Sequence, residues 1–229
     1  MIGRYILAFA KLFIGFKYVL GVKVPKNAEN YTGAFDCAEF VAYCIYKTFG
    51  FLYGCDTANI LKAATTDAYT GFFARDAKAR GIIIPVDQAA RTPGALLLRV
   101  SSSTNQIGHI VISQGNGKTV EAHSSKYGVI ESKVDGRRWD YGILLPGVEY
   151  EYNKPVATKA PALVYRLKSP MMKGDFVGKI QKALGVDNDN VYGKDTETAV
   201  VAFQRKSGLI PDGEVMPGGE TAKALGIDQ

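Results

Sequence analysis

The sequence predicts an α+β chain in two parts: a domain in which helices precede an antiparallel sheet, and a small all-α domain of three helices. Apolar residues recur at helical spacing before residue 93, apolar and polar residues alternate after it, and helical spacing returns near the end of the chain. These patterns place the first domain at residues 1–150, a linker at 151–168 and the second domain at 169–229.

The composition is that of a globular chain with a basic surface. Hydrophobic residues make up 47% and aromatic residues 11% of the chain, which is enough for a packed core and excludes wholesale disorder. Lys and Arg outnumber Asp and Glu by 28 to 22, and the charges are scattered. A net charge of +6 favours anionic partners, among which nucleic acid, membrane surfaces and anionic cell-wall polymers all fit.

The N-terminal segment MIGRYILAFAKLFIGFKYVLGVKVP is apolar and begins with a positive charge, as an export signal does. Lys11 and Lys17 divide it into apolar runs of about six residues or fewer, too short for export or for a membrane span. Four apolar residues recur at three- and four-residue steps: Ile6, Phe9, Phe13 and Phe16. They predict an amphipathic helix packed on the core, with a membrane-surface helix whose polar face carries Arg4, Lys11 and Lys17 as the alternative.

Four stretches alternate as strands do: GALLLRV, HIVISQ, KTVEAH and VIESKV. The turn GNG at residues 115–117 joins two of them as a hairpin, and prolines at 146, 155, 161 and 170 mark a boundary. Beyond it, DFVGKIQKALG, KDTETAVVAFQRKSG and GGETAKALG each end in Gly and predict three helices. No internal repeat is visible.

The stretch GAFDCAEFVAYC holds the first candidate for chemistry. Asp36 and Glu39, three residues apart before an apolar run, predict a capping box with Asp36 as N-cap and Cys37 as the first helical residue. At a helix start the thiolate is favoured, so the thiol of Cys37 should ionise more easily than a free thiol, whose pKa is ~8.5. Cys44 lies two turns deeper and is predicted to be core. With Cys55 the chain has three cysteines, too few for a disulfide framework and without zinc-ligand spacing.

Two histidines, His109 and His123, flank the hairpin turn. If the loop has three residues, His109 lies opposite His123, and Glu121 shares their face of the sheet. A two-residue turn would instead send Glu121 and His123 to the other face. Cys37, a histidine base and an orienting Glu or His are the components of a cysteine hydrolase. The alternative is a core cysteine with ordinary hairpin histidines.

Residues 5–147 resemble the NlpC-type cysteine peptidases, which cleave peptidoglycan stem peptides on a papain-like fold. The resemblance rests on AKLFIGFKYVLG, FDCAEFVAY and TPGALLLRV…GHIVISQGNGKTVEA, in that order. It implies that Cys37 is the nucleophile and His109 the base, and that Tyr18 lines the substrate site, where we also expect Asp36. The family's third position, usually His, Asn or Gln, holds Glu121 here, and His123 is the second candidate for that role.

Residues 169–227 resemble the small three-helix peptidoglycan-binding module, most specifically at AVVAFQRKSGL. The alternative is a generic helical bundle that only packs on the first domain. The stretch DNDNVYGKDTE departs from the spacing of a calcium-binding loop and predicts an ordinary turn, so no metal or other cofactor is expected.

Together the two resemblances imply an endolysin-like peptidoglycan hydrolase that cleaves a stem-peptide amide, with the γ-D-glutamyl–diaminopimelate bond as first choice. The alternatives are an N-acetylmuramoyl-L-alanine amidase, a catalytically inactive wall-binding protein and an acyltransferase acting at membranes. The expected partner is peptidoglycan, without nucleic acid or stable membrane insertion, and the expected state is a monomer. We expect synthesis in the cytoplasm without a signal peptide. Access to the wall or periplasm would then follow a holin, lysis or specialised secretion, with a phage lysin favoured over a secreted effector.

Overall fold

The computed structural model describes residues 1–101, 107–152 and 163–227, which form two compact units. The first contains the described residues up to Tyr152 apart from residue 107 and Asp135–Arg138. The second contains those two short segments and residues 163–227. The predicted α+β class, with an antiparallel sheet and a C-terminal helical domain, is confirmed.

The first unit combines four α-helices with one six-stranded sheet. The helices are α1 (Arg4–Ala10), α2 (Cys37–Phe49), α3 (Thr70–Arg80) and α4 (Val86–Ala90). The strands are β1 (Ile82–Ile84), β2 (Leu96–Arg99), β3 (His109–Ser113), β4 (Lys118–Ser124), β5 (Gly128–Lys133) and β6 (Tyr141–Leu144). The sheet order is β1-β6-β2-β3-β4-β5, and every neighbouring pair is antiparallel.

The four predicted strands correspond to β2, β3, β4 and β5, whereas β1 and β6 were not predicted. These two strands have three and four residues, and the triple isoleucine of β1 shows no alternation. β6 pairs with β1 and β2, far away in the chain. Strands of three or four residues are too short to show a period in the sequence. Pairing between distant segments adds no local signal that could reveal them.

Helix α2 forms the centre of the first unit's core. Its residues from Cys37 to Ile45 are all buried, and it ends at Gly50, whose φ of 79° is the left-handed conformation that glycine adopts readily. The ring of Phe13 contacts five aromatic rings of this core: Phe9, Phe16, Phe35, Phe40 and Tyr43. This packing places the N-terminal end of α2 against the sheet.

The N-terminal helix is shorter than the spacing predicted. α1 ends at Ala10, a single 3₁₀ turn continues to Phe13, and Phe16 lies beyond the helix. Ile6 and Phe13 are buried in the protein core, which contradicts the membrane-surface alternative for this segment. Among the described residues, no helix has both the length and the apolar character needed to cross a bilayer.

The second unit has the three predicted helices: α5 (Asp175–Leu184), α6 (Lys194–Lys206) and α7 (Glu220–Ala224). Seven buried residues form its core: Met172, Val177, Ile180, Tyr192, Val200, Val215 and Ala222. Tyr165, which the sequence pattern placed in the linker, forms an antiparallel bridge with Val215. The chain therefore contributes to this unit from several residues before position 169.

A buried glutamine organises the loop after α5. The side-chain amide of Gln181 donates to Asp189 Oδ1 (2.8 Å) and to Thr196 Oγ1 (3.0 Å). Its carbonyl oxygen accepts from the backbone N–H of Asn190 at 2.9 Å. The amide thus closes a loop of about ten residues onto the helix.

The same arrangement recurs after α6, as a repeat that the sequence analysis missed. Gln204 donates to Asp212 Oδ1 (2.7 Å) and to Thr221 Oγ1 (3.0 Å), and it accepts from the backbone N–H of Gly213 (2.9 Å). In both copies a Gly follows the Gln by four residues and the Asp follows it by eight. The hydrogen bonds show the repeat clearly, although most residues between these positions differ.

Candidate active site

Cys37 begins α2, and Asp36 caps this helix as predicted. Asp36 Oδ1 accepts the backbone N–H of Glu39 at 2.9 Å, and Oδ2 accepts the backbone N–H of Gly21 at 3.1 Å. Both carboxylate oxygens therefore bond to the backbone of the chain itself. Asp36 therefore fixes the helix start and the loop at Gly21. Its expected contact with substrate stays a prediction.

The other half of the predicted capping box has a different partner. The carboxylate of Glu39 lies 2.5 Å from Lys26 Nζ, and it accepts the backbone N–H groups of Val24 (3.1 Å) and Ala68 (2.8 Å). Lys26 and Glu39 are almost fully buried. The ammonium also donates to the backbone carbonyls of Val24 and Thr66. This ion pair ties two loops to the first turn of α2.

The environment of Cys37 overturns the expectation of an easily ionised thiol. Burial, followed by the carboxylate of Asp36, raises the pKa of Cys37 to about 12. The backbone N–H groups of Ile110 and Ala38 and the charge of Arg99 lower the pKa but do not offset the loss of solvation. The helix start does favour the thiolate, but desolvation has the larger effect. Cys37 therefore rests as a thiol.

Cys44 provides an internal comparison for Cys37. Burial alone raises the pKa of Cys44 well above its usual value, as expected of a core cysteine. Cys37 is also buried, yet its thiol interacts with a backbone donor from β3, a carboxylate and a guanidinium. Polar neighbours of this kind distinguish a candidate nucleophile from a packing residue.

The hairpin has the three-residue loop on which the histidine prediction depends. Gln114 donates its backbone N–H to the carbonyl of Lys118 at 2.9 Å, and Ser113 pairs with Thr119. Gly115 and Gly117 have φ values of 80° and 78°, which the loop requires. The predicted register is confirmed at the turn, and it places the side chains of Thr119 and Glu121 on one face of β4.

On this face, His109 and Glu121 make a close contact. Nε2 of His109 lies 2.6 Å from Oε2 of Glu121, and Oε1 of Glu121 accepts from the hydroxyl of Thr119 at 2.5 Å. All three side chains are buried. An ionised carboxylate only accepts, so with Glu121 charged the proton of the imidazole is on Nε2, and Nδ1 is the nitrogen able to accept one.

His123 lies near this pair in a different role. Its ring centroid is 6.3 Å from that of His109, and its Nδ1 lies 3.1 Å from the hydroxyl of Ser124. The ring of Tyr127 packs edge-on against it at 5.2 Å. Of the two candidates for the orienting group, the structure brings Glu121 into hydrogen-bond contact with His109.

β3 connects the thiol with the imidazole. The backbone N–H that acts on the Cys37 thiol belongs to Ile110, the residue after His109. On the other side, a parallel bridge from Tyr18 to Phe35 brings the Tyr18 hydroxyl toward the helix start. Burial, Cys37 and Asp36 raise the pKa of Tyr18 well above its usual value. Tyr18 therefore lies near Cys37 and Asp36, and its role toward a substrate stays a prediction.

Arg99 and Trp139 also belong to this site and were missed in the sequence. Arg99 lies directly opposite His109 in the β2–β3 pair, is buried, and interacts electrostatically with Cys37 and Tyr18. The ring of Trp139 lies 6.0 Å from that of His109. An arginine inside the apolar run LLLR, and the only tryptophan of the chain, were the signals available.

The site thus combines a thiol at a helix start with a neighbouring strand whose histidine contacts a buried carboxylate. These are the groups that a thiol-dependent hydrolase requires. The comparisons with known proteins concern both units. Residues 174–225 match the family model described as a peptidoglycan binding domain. The C-terminal helical unit is thus a peptidoglycan-binding domain. No curated protein sequence matches the chain.

Among solved structures, the chain is similar to NlpC/p60 domains. The NlpC/p60 domain of the peptidoglycan hydrolase SagA is 26% identical, with 63% of this chain and 100% of that chain covered and a TM-score of 0.45. The P60 domain of an antigen from M. avium subspecies paratuberculosis is 23% identical, with 62% and 93% covered and a TM-score of 0.43. The peptidoglycan hydrolase RipB from Mycobacterium tuberculosis is 21% identical, with 62% of each chain covered and a TM-score of 0.43.

Proposed function

We propose that this protein is a peptidoglycan hydrolase in which Cys37 attacks an amide bond of the stem peptide and His109 is the base. The observation that carries the proposal is the buried contact of 2.6 Å between His109 and Glu121. His109 is followed on β3 by Ile110, whose backbone N–H interacts with the thiol of Cys37. The motif resemblance and the peptidoglycan-binding domain support the choice of polymer.

The reaction begins from a protonated thiol. As Cys37 Sγ bonds to the carbonyl carbon, its proton passes to Nδ1 of His109, and the negative charge of Glu121 stabilises the imidazolium that forms. The imidazolium then protonates the leaving amine as the C–N bond breaks, which leaves an acyl-enzyme. Water, deprotonated by His109, attacks the thioester and releases the carboxylic acid and the free thiol.

The start of α2 supplies charge stabilisation for the tetrahedral intermediate. Backbone N–H groups in the first turn of a helix are not used within the helix, and they favour a negative charge. We assign the oxyanion to the N–H of Cys37. Asp36 acts indirectly, because its bonds to Glu39 and Gly21 hold this turn in place.

The bond that we propose is the γ-D-glutamyl–diaminopimelate amide, which the motif resemblance implies. The peptidoglycan-binding domain would keep the enzyme on its polymer and raise the local concentration of cleavable bonds. An endolysin-like role in wall degradation fits this combination.

The test compares wild-type protein with Cys37→Ala on isolated Gram-negative sacculi, with released fragments identified by mass spectrometry. Cys44→Ala is the matched control, because this cysteine lies in the same helix and burial raises the pKa of its thiol as well. We expect fragments ending in free D-glutamate from wild type and from Cys44→Ala, and none from Cys37→Ala.

Other outcomes separate the alternatives. Intact stem peptides freed from glycan would identify an N-acetylmuramoyl-L-alanine amidase with the same nucleophile. Sedimentation of every variant with sacculi, without any fragments, would overturn the catalytic assignment and leave a wall-binding protein.

A further inference from the structure

We propose that Thr119 is a positioning residue, which locks the Glu121 carboxylate in the orientation that holds the catalytic imidazole of His109. The inference rests on the proposed function for its catalytic consequence. Its structural part concerns the state of the His109 ring and can be tested without any substrate.

The three side chains form a continuous buried chain of hydrogen bonds. Thr119 donates its hydroxyl to Oε1 of Glu121 at 2.5 Å, and the other oxygen, Oε2, lies 2.6 Å from Nε2 of His109. Thr119 and Glu121 are fully buried, and His109 is 1% exposed. Each oxygen of the Glu121 carboxylate therefore contacts a different side chain: Oε1 contacts Thr119 and Oε2 contacts His109.

The alternation of β4 explains why a residue at position 119 can serve this purpose. Side chains two residues apart on a strand lie on the same face, so Thr119 and Glu121 are neighbours by backbone geometry alone. Thr119 also pairs with Ser113 in the ladder next to the hairpin loop, where the register is set. The backbone that carries its hydroxyl is consequently fixed by the last ladder pair before the turn.

A glutamate needs such support more than a shorter side chain does. The last torsion of Glu is broad, so an unsupported carboxylate can rotate or turn away from the imidazole. A hydroxyl bound to Oε1 removes that freedom and fills an acceptor that would be costly to leave unpaired in the interior. Fixing the carboxylate keeps the proton on Nε2 of His109 and leaves Nδ1 to take the proton of the Cys37 thiol.

The experiment removes the hydroxyl while keeping the shape of the side chain. Thr119→Val is compared with Thr119→Ser, which keeps the hydroxyl and loses the methyl group. Thr92→Val is the matched control, because Thr92 is 2% exposed and donates to the carbonyl of Gln88 at 2.8 Å. The protein is the full chain in every case.

Two readouts are measured. The first is the tautomer of the His109 ring from its nitrogen chemical shifts, which is simple to assign because the chain has two histidines. The second is hydrolysis of sacculi, separated into kcat and KM and followed against pH. A purely structural threonine would change neither the tautomer nor the pH profile.

For Thr119→Val we expect a smaller fraction of the Nε2–H tautomer, about tenfold lower kcat with KM unchanged, and a shifted acid limb of the pH profile. Thr119→Ser should restore the tautomer and most of the kcat, and Thr92→Val should match wild type in both. If Thr119→Val does not fold, Thr119→Ala removes the same hydroxyl without the added methyl group.

An unchanged tautomer in the folded hydroxyl-free variant would overturn the inference, whatever the enzyme does. An unchanged kcat and pH profile in an active protein would overturn it as well. If wild type cleaves nothing, the proposed function fails, and the tautomer measurement still decides whether Thr119 holds Glu121 and His109 together.

Discussion

The two charged neighbours of Cys37 act on its thiol in opposite directions. The carboxylate of Asp36 raises the pKa of Cys37, and the guanidinium of Arg99 lowers it, while burial decides the result. A thiol that stays protonated at rest is protected from oxidation and adventitious alkylation. In the proposed reaction this thiol loses its proton during the attack, which makes the position of His109 more important than it would be for a preformed thiolate.

The first residue-scale prediction concerns the charge of Asp36. Asp36→Asn keeps an N-cap oxygen for α2 but removes the negative charge, so the pKa of the Cys37 thiol should fall. At a fixed pH near 8 a lower pKa means more thiolate, and alkylation of Cys37 by iodoacetamide should become at least about threefold faster. Asp87→Asn, an exposed change in α4, is the control and should leave the rate unchanged.

The wild-type profile gives the same test without a substitution. Alkylation of Cys37 should keep rising through pH 10, because its pKa is raised to about 12. A rate that levels off below pH 8.5 would mean that the helix start outweighs burial after all. Peptide mapping separates Cys37 from Cys44 and Cys55, which are also buried.

At the scale of elements, the buried pair of Lys26 and Glu39 holds the first turn of α2 to its neighbouring loops. Lys26 comes from the segment before the helix, and its ammonium also donates to the carbonyl of Thr66 at 3.0 Å. Breaking a buried pair leaves one charge without compensation, which costs far more than the pair itself contributes. The pair therefore serves to position α2 and Cys37.

We expect Lys26→Met to lower the free energy of unfolding of the first unit by about 3–5 kcal/mol. Urea denaturation followed by the fluorescence of Trp139, the only tryptophan, measures this. Lys23→Met is the matched control: Lys23 lies 2.8 Å from Asp67 in an exposed, solvent-screened pair, so its loss should leave the free energy of unfolding almost unchanged. Equal effects of the two substitutions would contradict a positioning role for the buried pair.

The repeated glutamine cluster gives a prediction for the second unit. Gln204→Met should lower the stability of the helical domain by about 2–3 kcal/mol, because the backbone N–H of Gly213 and the side chain of Thr221 lose a buried partner. Far-UV circular dichroism should show an earlier transition for this domain, while the fluorescence transition of Trp139 stays in place.

Gln88→Met, at a half-buried position of the first unit, is the control for this substitution. It should leave the transition of the helical domain unchanged. Identical shifts of both transitions in Gln204→Met would mean that the two units unfold as one, and the cluster would then not be a local support of its own domain.

At the scale of the whole molecule, the proposed function brings the basic charge and the C-terminal domain to the same polymer. The chain carries a net charge of +6, and peptidoglycan with its carboxylates is an anionic surface. Part of the binding should therefore be electrostatic and screened by salt.

We expect sedimentation of Cys37→Ala with isolated sacculi to weaken several-fold between about 50 mM and about 500 mM NaCl. The inactive variant is used so that the polymer is not digested during the measurement. Binding that does not change with salt would assign recognition to uncharged contacts of the peptidoglycan-binding domain.

Much of this architecture follows from local sequence. The cap at Asp36 and the helices of the second unit depend on residues within a few positions of each other, and they were predicted correctly. The sequence left the hairpin loop open between two and three residues, and the structure has three. The shared face of His109 and Glu121 followed from the loop length. Local backbone geometry obeys short-range rules, so a single sequence is enough to read it.

The close contact of His109 with Glu121, the raised pKa of Cys37, and the places of Arg99 and Trp139 were decided only by the tertiary structure. Each depends on residues far apart in the chain, such as Arg99 of β2 beside Cys37 of α2. Desolvation and charge pairing depend on three-dimensional distance and on the exclusion of water, and sequence spacing reports neither. By itself the sequence determined which groups are available for chemistry, and the packing of α2 against the sheet decided the burial of Cys37 and which polar groups surround it.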